Sequence, residues 1–425
     1  MGGSSRQGCG VVRVCLPLLL ALGACGSGGS GSGGPGQVTG GGTGSTGGGG
    51  KTDIAPAFPI FDNTRMHDIA LTMSADDWQS IINDTEGDTE RHATFVYDGV
   101  TVKDVGVHPS GESSRFPGNP KISVRIAFDA FTKGQTFGGL HELKLKGQWD
   151  DSSMMRDGLA KFVYRAAIPT GQEGYGRLVV NGDLRGLYCV LEMWNEQSIA
   201  AHFSAPAGPL YRIRGVLGTD PYKYLGDAST AYMPEPWERH ITKAAAGDEV
   251  IGAFLKGLAA TPTMIDSVDD VDTLLGYLAA SALMMNEDCL VGDSGVQDHY
   301  QYYDPASGKM FILPWDPDKT FSYSGNDETR YLEARFSRSV LATIIRDGGD
   351  YRARYKARIL TVGAAVPAAA VQAEADRIYQ LIKDVAHEDP VKRFDNNTFD
   401  WSVGYVKDFT AKRYNFVLTQ AAGNG

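Results

Sequence analysis

The stretch "HDIALTM" alternates apolar and polar residues, the period of a strand with one buried face. Directly after it, "SADDWQSII" offers Ser74 as a cap and Asp76 and Asp77 for the first turn of a helix. "HATFVYDGVTVKDVGVH" alternates on both sides of Asp98-Gly99, which predicts a hairpin turning there. "KISVRIAFDA" and "LHELKLKG" read as further strands. The segment "DDSSMMRDGLAKFVYRAAIP" switches to helical spacing, with Met154, Leu159, Phe162 and Val163 on its apolar side. "GYGRLVVNGDLRGLYCVLEMW" then returns to a hairpin through Asn181-Gly182. From about Val250 the balance reverses: "VDTLLGYLAASALMMNE" and the segments 339–365 and 368–385 are predicted helices. Between them lies one hairpin, "HYQYYDPASGKMFILPWDPDKTF", turned at Asp304 to Gly308. No internal repeat is visible, and the order of elements predicts an α+β fold. Its β-rich part spans about 52–215 and its mainly helical part 216–425.

The first 51 residues are of another kind. Arg6 and Arg13 precede the apolar run Val14 to Ala21, which ends in Leu22-Gly23-Ala24-Cys25. This is a secretory signal over 1–25 with the small-residue ending of a lipoprotein signal, so Cys25 is the expected lipidation site. Residues 26–51 form a Gly/Ser-rich linker with 15 glycines, ending at Lys51. Such a segment behaves as a flexible tether with a reach of roughly 25 to 30 Å. These ends place the domain 52–425 outside the cytoplasm, anchored to the membrane through lipid.

Without Arg6 and Arg13 the chain has 38 basic against 51 acidic residues, a formal charge of −13. That excludes the basic footprint nucleic-acid binding requires, and favours a cation or a basic partner. Cysteine spacing and histidine pairing give no zinc motif. Cys189 and Cys289 remain in the domain, and their pairing is not readable from sequence.

The chemistry concentrates around "MFILPWDPDKTF". In an extended strand, residues two apart share a face, so Asp316 and Asp318 are expected side by side beyond the apolar Met310 to Leu313. Two such carboxylates repel unless a cation lies between them, which makes them a candidate magnesium site. The competing reading is a proline-bracketed turn. Upstream, "LAASALMMNEDC" ends in Asn286-Glu287-Asp288, with Asp293 and Asp298 beyond it. Any of the three aspartates, Asp288, Asp293 and Asp298, could accept a hydroxyl proton.

In order along the chain, several stretches resemble the spore coat protein H (CotH) family of atypical kinases. "DDSSMMRDGLAKFVYRAAIP" is similar to its D-x-S-x-x-R-D helix, and "VVNGDLRGLYCVLEMWNE" to its N-G-x-x-x-G-x-Y-x-x-x-E hairpin. "PLYRI" is similar to its L-Y-K strand, and "MNED" to its N-x-D helix end. "YQYYDPASGKMFILPWDPDKTF" resembles Y-x-Y-x-D-P-x-x-G-K-x-x-x-x-P-W-D-x-D-x-T-F without a gap.

The resemblance implies a two-lobed, protein-kinase-like fold. It implies an enzyme that transfers the γ-phosphoryl group of ATP to Ser or Thr hydroxyls of a protein substrate with Mg²⁺ or Mn²⁺. By position, Asp316 would bind the metal, joined by Asp318 and by Asp298, which stands where an asparagine is usual. Asp288 matches the catalytic acid, with Asp293 the alternative. Lys121, Arg156, Glu192 and Arg212 would hold the nucleotide. The chain departs from the family at "HPSGESSR", where His108 and Ser110 replace expected basic residues. That departure motivates the second reading, a non-catalytic surface module binding a protein or glycan.

Overall fold

The structure, a computed structural model, describes residues 52–423 apart from 113, 205, 206, 216, 217, 242, 243, 245, 261 and 322–327. The signal-like run, Cys25 and the glycine tether lie outside the described residues.

A two-residue strand β1 (Asp53–Ile54) precedes β2 (Met66–Thr72) and α1 (Ala75–Asn83). Ser74 caps α1, its hydroxyl accepting the Asp77 N–H at 3.0 Å. Strands β3 (Arg91–Tyr97) and β4 (Val100–Ser110) turn on Asp98-Gly99, whose φ angles of 47° and 84° are those of a two-residue hairpin loop. Next come β5 (Ser123–Ala127), the short β6 (Thr136–Phe137), β7 (Glu142–Lys146) and α2 (Arg156–Arg165). A second hairpin, β8 (Glu173–Val180) with β9 (Asp183–Leu191), turns on Asn181-Gly182 at φ 52° and 90°.

Among the described residues, seven of these strands close into a barrel in the order β2-β3-β4-β5-β7-β9-β8, with β8 parallel to β2. Closure leaves no open edge. Phe95, Val107, Leu145, Tyr188 and Val190 share one core with Trp78, Ile81 and Ile82 of α1. The alternate residues of β9, Leu187, Cys189 and Leu191, join the core of the helical half instead. That strand is therefore buried on both faces.

The rest of the chain forms α3 (Glu196–His202), β10 (Leu210–Ile213), β11 (Trp237–Arg239), α4 (Glu249–Ala260) and α5 (Val271–Met284). The hairpin β12 (His299–Asp304) and β13 (Lys309–Pro314) follows, then α6 (Val340–Asp347), α7 (Tyr351–Ala365), α8 (Ala368–Glu388) and α9 (Asn396–Ala421). A second, antiparallel sheet has the order β11-β10-β12-β13. Helix α5 is buried except at Asp272 and Ala282, which explains its nearly unbroken apolar sequence. The predicted helical run 339–365 is two helices, separated at Gly348-Gly349, where Gly349 has φ 52°. Cys189 and Cys289 are both buried and unpaired. The fold is α+β, as the element order predicts. No helix among the described residues is long and apolar enough to cross a membrane.

Candidate functional site

A polar cleft opens between the barrel and the second sheet. Ser110, Glu112, Arg125, Lys144 and Lys146 line it from the barrel, and Arg212, Asp288, Asp298, Asp316, Asp318 and Lys319 from the other side. The lysines are aimed by strand geometry. Leu143 and Leu145 of β7 enter the barrel core, so Lys144 and Lys146 take the opposite face.

Lys146 is the hub. Its ammonium lies 2.6 Å from Asp157 Oδ2 on α2 and 3.0 Å from Asp318 Oδ2, and it contacts Asp316 Oδ1. Lys144 Nζ is 3.3 Å from the other Asp316 oxygen and sits 5.2 Å from the centre of the Trp315 ring. Burial opposes the charge of Lys146, but Asp157, Asp316 and Asp318 together hold its pKa well above the usual lysine value. Burial likewise pushes the Asp316 carboxyl up, and Lys144 and Lys146 override it, holding the group well below the usual carboxylate range.

The two aspartates do not share the face of an extended strand. Asp316 has φ 43° and ψ 51°, and Pro317–Lys319 is a single 3₁₀ turn. The Asp318 N–H donates to the Asp316 carbonyl at 2.8 Å. The proline-bracketed turn and the carboxylate pair are therefore the same object: the turn folds Asp318 back so that both side chains reach one ammonium. A left-handed non-glycine residue is strained, and such strain gathers at functional sites.

Asp288 and Asp298 complete the acidic side. Asp288 is buried, with Oδ2 at 2.7 Å from Lys319 Nζ and Oδ1 without a hydrogen-bond partner. Burial, then the charges of Asp316 and Asp288, push the Asp298 carboxyl well above its usual value. Arg212 Nη2, 3.9 Å away, opposes this only in part. Among the described residues no three His, Cys, Asp or Glu side chains are arranged to hold a metal ion by themselves. The donor set instead fits a hard divalent cation held by one or two carboxylates, with water and phosphate oxygens as its remaining ligands. The carboxyl of Asp298, pushed up by burial and by its acidic neighbours, and the Asp288 oxygen without a hydrogen-bond partner mark where positive charge is wanting.

Four sequence candidates lie elsewhere. Lys121 is fully buried, its ammonium in contact with Asp389 Oδ2 and donating to the Arg185 carbonyl at 2.7 Å. It joins the barrel to the end of α8 and does not line the cleft. Arg156 packs against Asp151, with Nε–Oδ1 at 3.0 Å, and donates to the Asp150 carbonyl, so it fastens the start of α2. Glu192 accepts the Gln172 N–H at 2.8 Å, does not line the cleft and is not among the partners of Lys121. Asp293 is held by Arg330, at 2.8 Å, and by Arg335. Of the residues at the family departure, His108 is buried outside the cleft and Ser110 lines it.

Sequence reasoning missed Lys144, Lys146, Asp157, Arg125 and Lys319. The signal for the lysines was present in "ELKLK": charged residues on one face of a strand whose other face is leucine, in the middle of a β-rich region. Asp157 stands beside Arg156 in the same motif, and one helical step of about 100° decides which of the two reaches Lys146.

Comparison with known proteins agrees with this arrangement of motifs. "Inner spore coat protein H" of Bacillus subtilis (strain 168) is 21% identical over 299 residues, which cover 68% of this chain and 80% of that protein. The family model described as CotH kinase protein matches residues 107–417, a span that includes β5 to β13, the cleft and most of α9. The chain belongs to the CotH kinase protein family.

Proposed function

We propose that this protein transfers the γ-phosphoryl group of ATP to a hydroxyl of a protein substrate outside the cytoplasm. The observation that carries this reading is Lys146, which ties helix α2, through Asp157, to the Asp316–Asp318 turn inside a cleft lined by four further cationic side chains. Phosphoryl transfer needs that combination, because catalysis is positioning plus neutralisation of phosphate charge. Lys144, Lys146, Arg125 and Arg212 bind and orient the phosphates. Asp316 and Asp318, with Asp298 beside them, would hold Mg²⁺ or Mn²⁺, which supplies further charge neutralisation when bound. Asp288 accepts the hydroxyl proton; Asp293, engaged by two arginines, is the weaker candidate.

The cations at 125, 144, 146, 212 and 319 also answer the departure at His108 and Ser110, since the cleft retains basic groups without them. They favour the enzyme over the non-catalytic module. A barrel facing a helical half across a cleft supports a two-lobed, kinase-like plan. The name of the Bacillus relative supports a place in the cell envelope; the anchor at Cys25 and the tether over residues 26–51 rest on the sequence pattern alone.

The test is a thermal unfolding series with ATP and Mg²⁺. A nucleotide-dependent rise in Tm that disappears in Asp316→Ala is expected. No rise at millimolar nucleotide would turn the reading towards the binding module.

A further inference from the structure

One lysine of the cleft is tied at two points to the segment that carries Asp288. The Lys319 carbonyl accepts the Glu287 N–H at 2.8 Å, and its ammonium lies 2.7 Å from Asp288 Oδ2. The Asp288 side chain is 2% exposed and its Oδ1 has no hydrogen-bond partner, whereas the Lys319 side chain is 35% exposed and opens on the cleft. One oxygen of a buried carboxylate is thus held by a cation, and the other is left without a donor. Lys319 occupies a variable position of the P-W-D-x-D-x-T-F pattern, so the motif itself does not single it out.

We propose that Lys319 is a positioning residue for phosphoryl transfer, holding the buried Asp288 carboxylate at the cleft wall in the orientation in which it takes the proton of the substrate hydroxyl; this rests on the phosphotransferase reading above. Burying a carboxylate without a partner is costly, and the ammonium offsets that cost while fixing the carboxylate's direction. In the reaction, the hydroxyl oxygen bonds to the γ-phosphorus. The bond from that phosphorus to the β,γ-bridging oxygen breaks, its electron pair leaves with ADP, and the hydroxyl proton passes to the Asp288 carboxylate. Lys319 keeps its protons throughout.

The experiment compares the full protein with Lys319→Met and Lys319→Arg, measuring transfer from labelled ATP and the ATP-dependent shift in Tm. Lys319→Met is expected to lower kcat about 10- to 100-fold with KM for ATP within about threefold. Its nucleotide-dependent Tm shift should remain, and Lys319→Arg should recover kcat to within about fivefold of wild type, because the cation is restored. A kcat for Lys319→Met within about twofold of wild type overturns the inference and leaves the phosphotransferase reading standing. Equal losses in the Met and Arg variants overturn it too, since charge would then be irrelevant. A wild-type protein with neither Tm shift nor transfer overturns both readings, and no variant is needed to see it.

Discussion

Two lysines, Lys121 and Lys146, are both buried in or beside the barrel and both are ion-paired, yet they do opposite things. Lys121 meets one carboxylate, Asp389, which also accepts the Leu187 N–H at 3.0 Å. The pair is balanced and closed off from the cleft. Burial pushes the Lys121 ammonium down to about 8 despite Asp389. Lys146 meets three carboxylates, and its pKa moves up. Pairing and burial alone therefore do not mark a functional lysine. What sets Lys146 apart is a surplus of opposite charge, open to a cleft, and the proposed role rests on it.

The comparison can be broken in five ways. Lys146→Met should have the largest effect: transfer from labelled ATP falls by about 10³-fold or more. Denaturant unfolding of the same variant should show a loss of about 3–5 kcal/mol, because Asp157 loses its cation. Lys121→Met should cost a similar 3–5 kcal/mol in stability while leaving kcat and KM of the folded fraction within about threefold. Changing Lys121 and Asp389 together to apolar residues should recover much of that loss, as expected for a balanced pair.

Gly186→Ala probes the same junction from the backbone side. Gly186 has φ 80°, and an added Cβ would lie 2.0 Å from Asp389 Cγ, so about 2–3 kcal/mol is expected to be lost without an effect on nucleotide binding. The smallest effect is a pH dependence. With the folded-state pKa of Lys121 near 8 and the unfolded value at 10.5, the unfolded chain binds more protons between these limits. Stability relative to Lys121→Met should therefore rise with pH through that window, by about 1 kcal/mol per unit, and be lost as pH falls through 8. Matched unfolding curves at pH 7.5, 8.5 and 9.5 give the measurement.

Much of the fold was legible because its signals are local. Asp98-Gly99 and Asn181-Gly182 announce hairpins, and Ser74 announces a helix start. Barrel closure was not legible, since β2 and β8 pair across more than a hundred residues of chain and in parallel. Helix α9 escaped notice because polar and apolar residues are mixed along its 26 residues, although Phe399, Val406, Tyr414 and Val417 are buried. At the site, Asp288, Asp298, Asp316, Asp318 and Arg212 were found from motif and chain order, and all line the cleft. Lys121, Arg156 and Glu192 were assigned by motif position and lie elsewhere. Which side of a strand or helix faces the cleft depends on tertiary packing, and a motif match carries no such information. The same limit hid Lys144 and Lys146, whose face is set by the leucines beside them.

The most direct test sets the two regions against each other in a single assay: transfer of the labelled γ-phosphoryl group from ATP to protein by wild type, Asp316→Asn and Lys121→Met, each corrected for its folded fraction. Transfer should persist in Lys121→Met and fall at least about 10³-fold in Asp316→Asn. Undiminished transfer by Asp316→Asn, or its loss in Lys121→Met alone, would contradict the assignment of the cleft as the site of phosphoryl transfer.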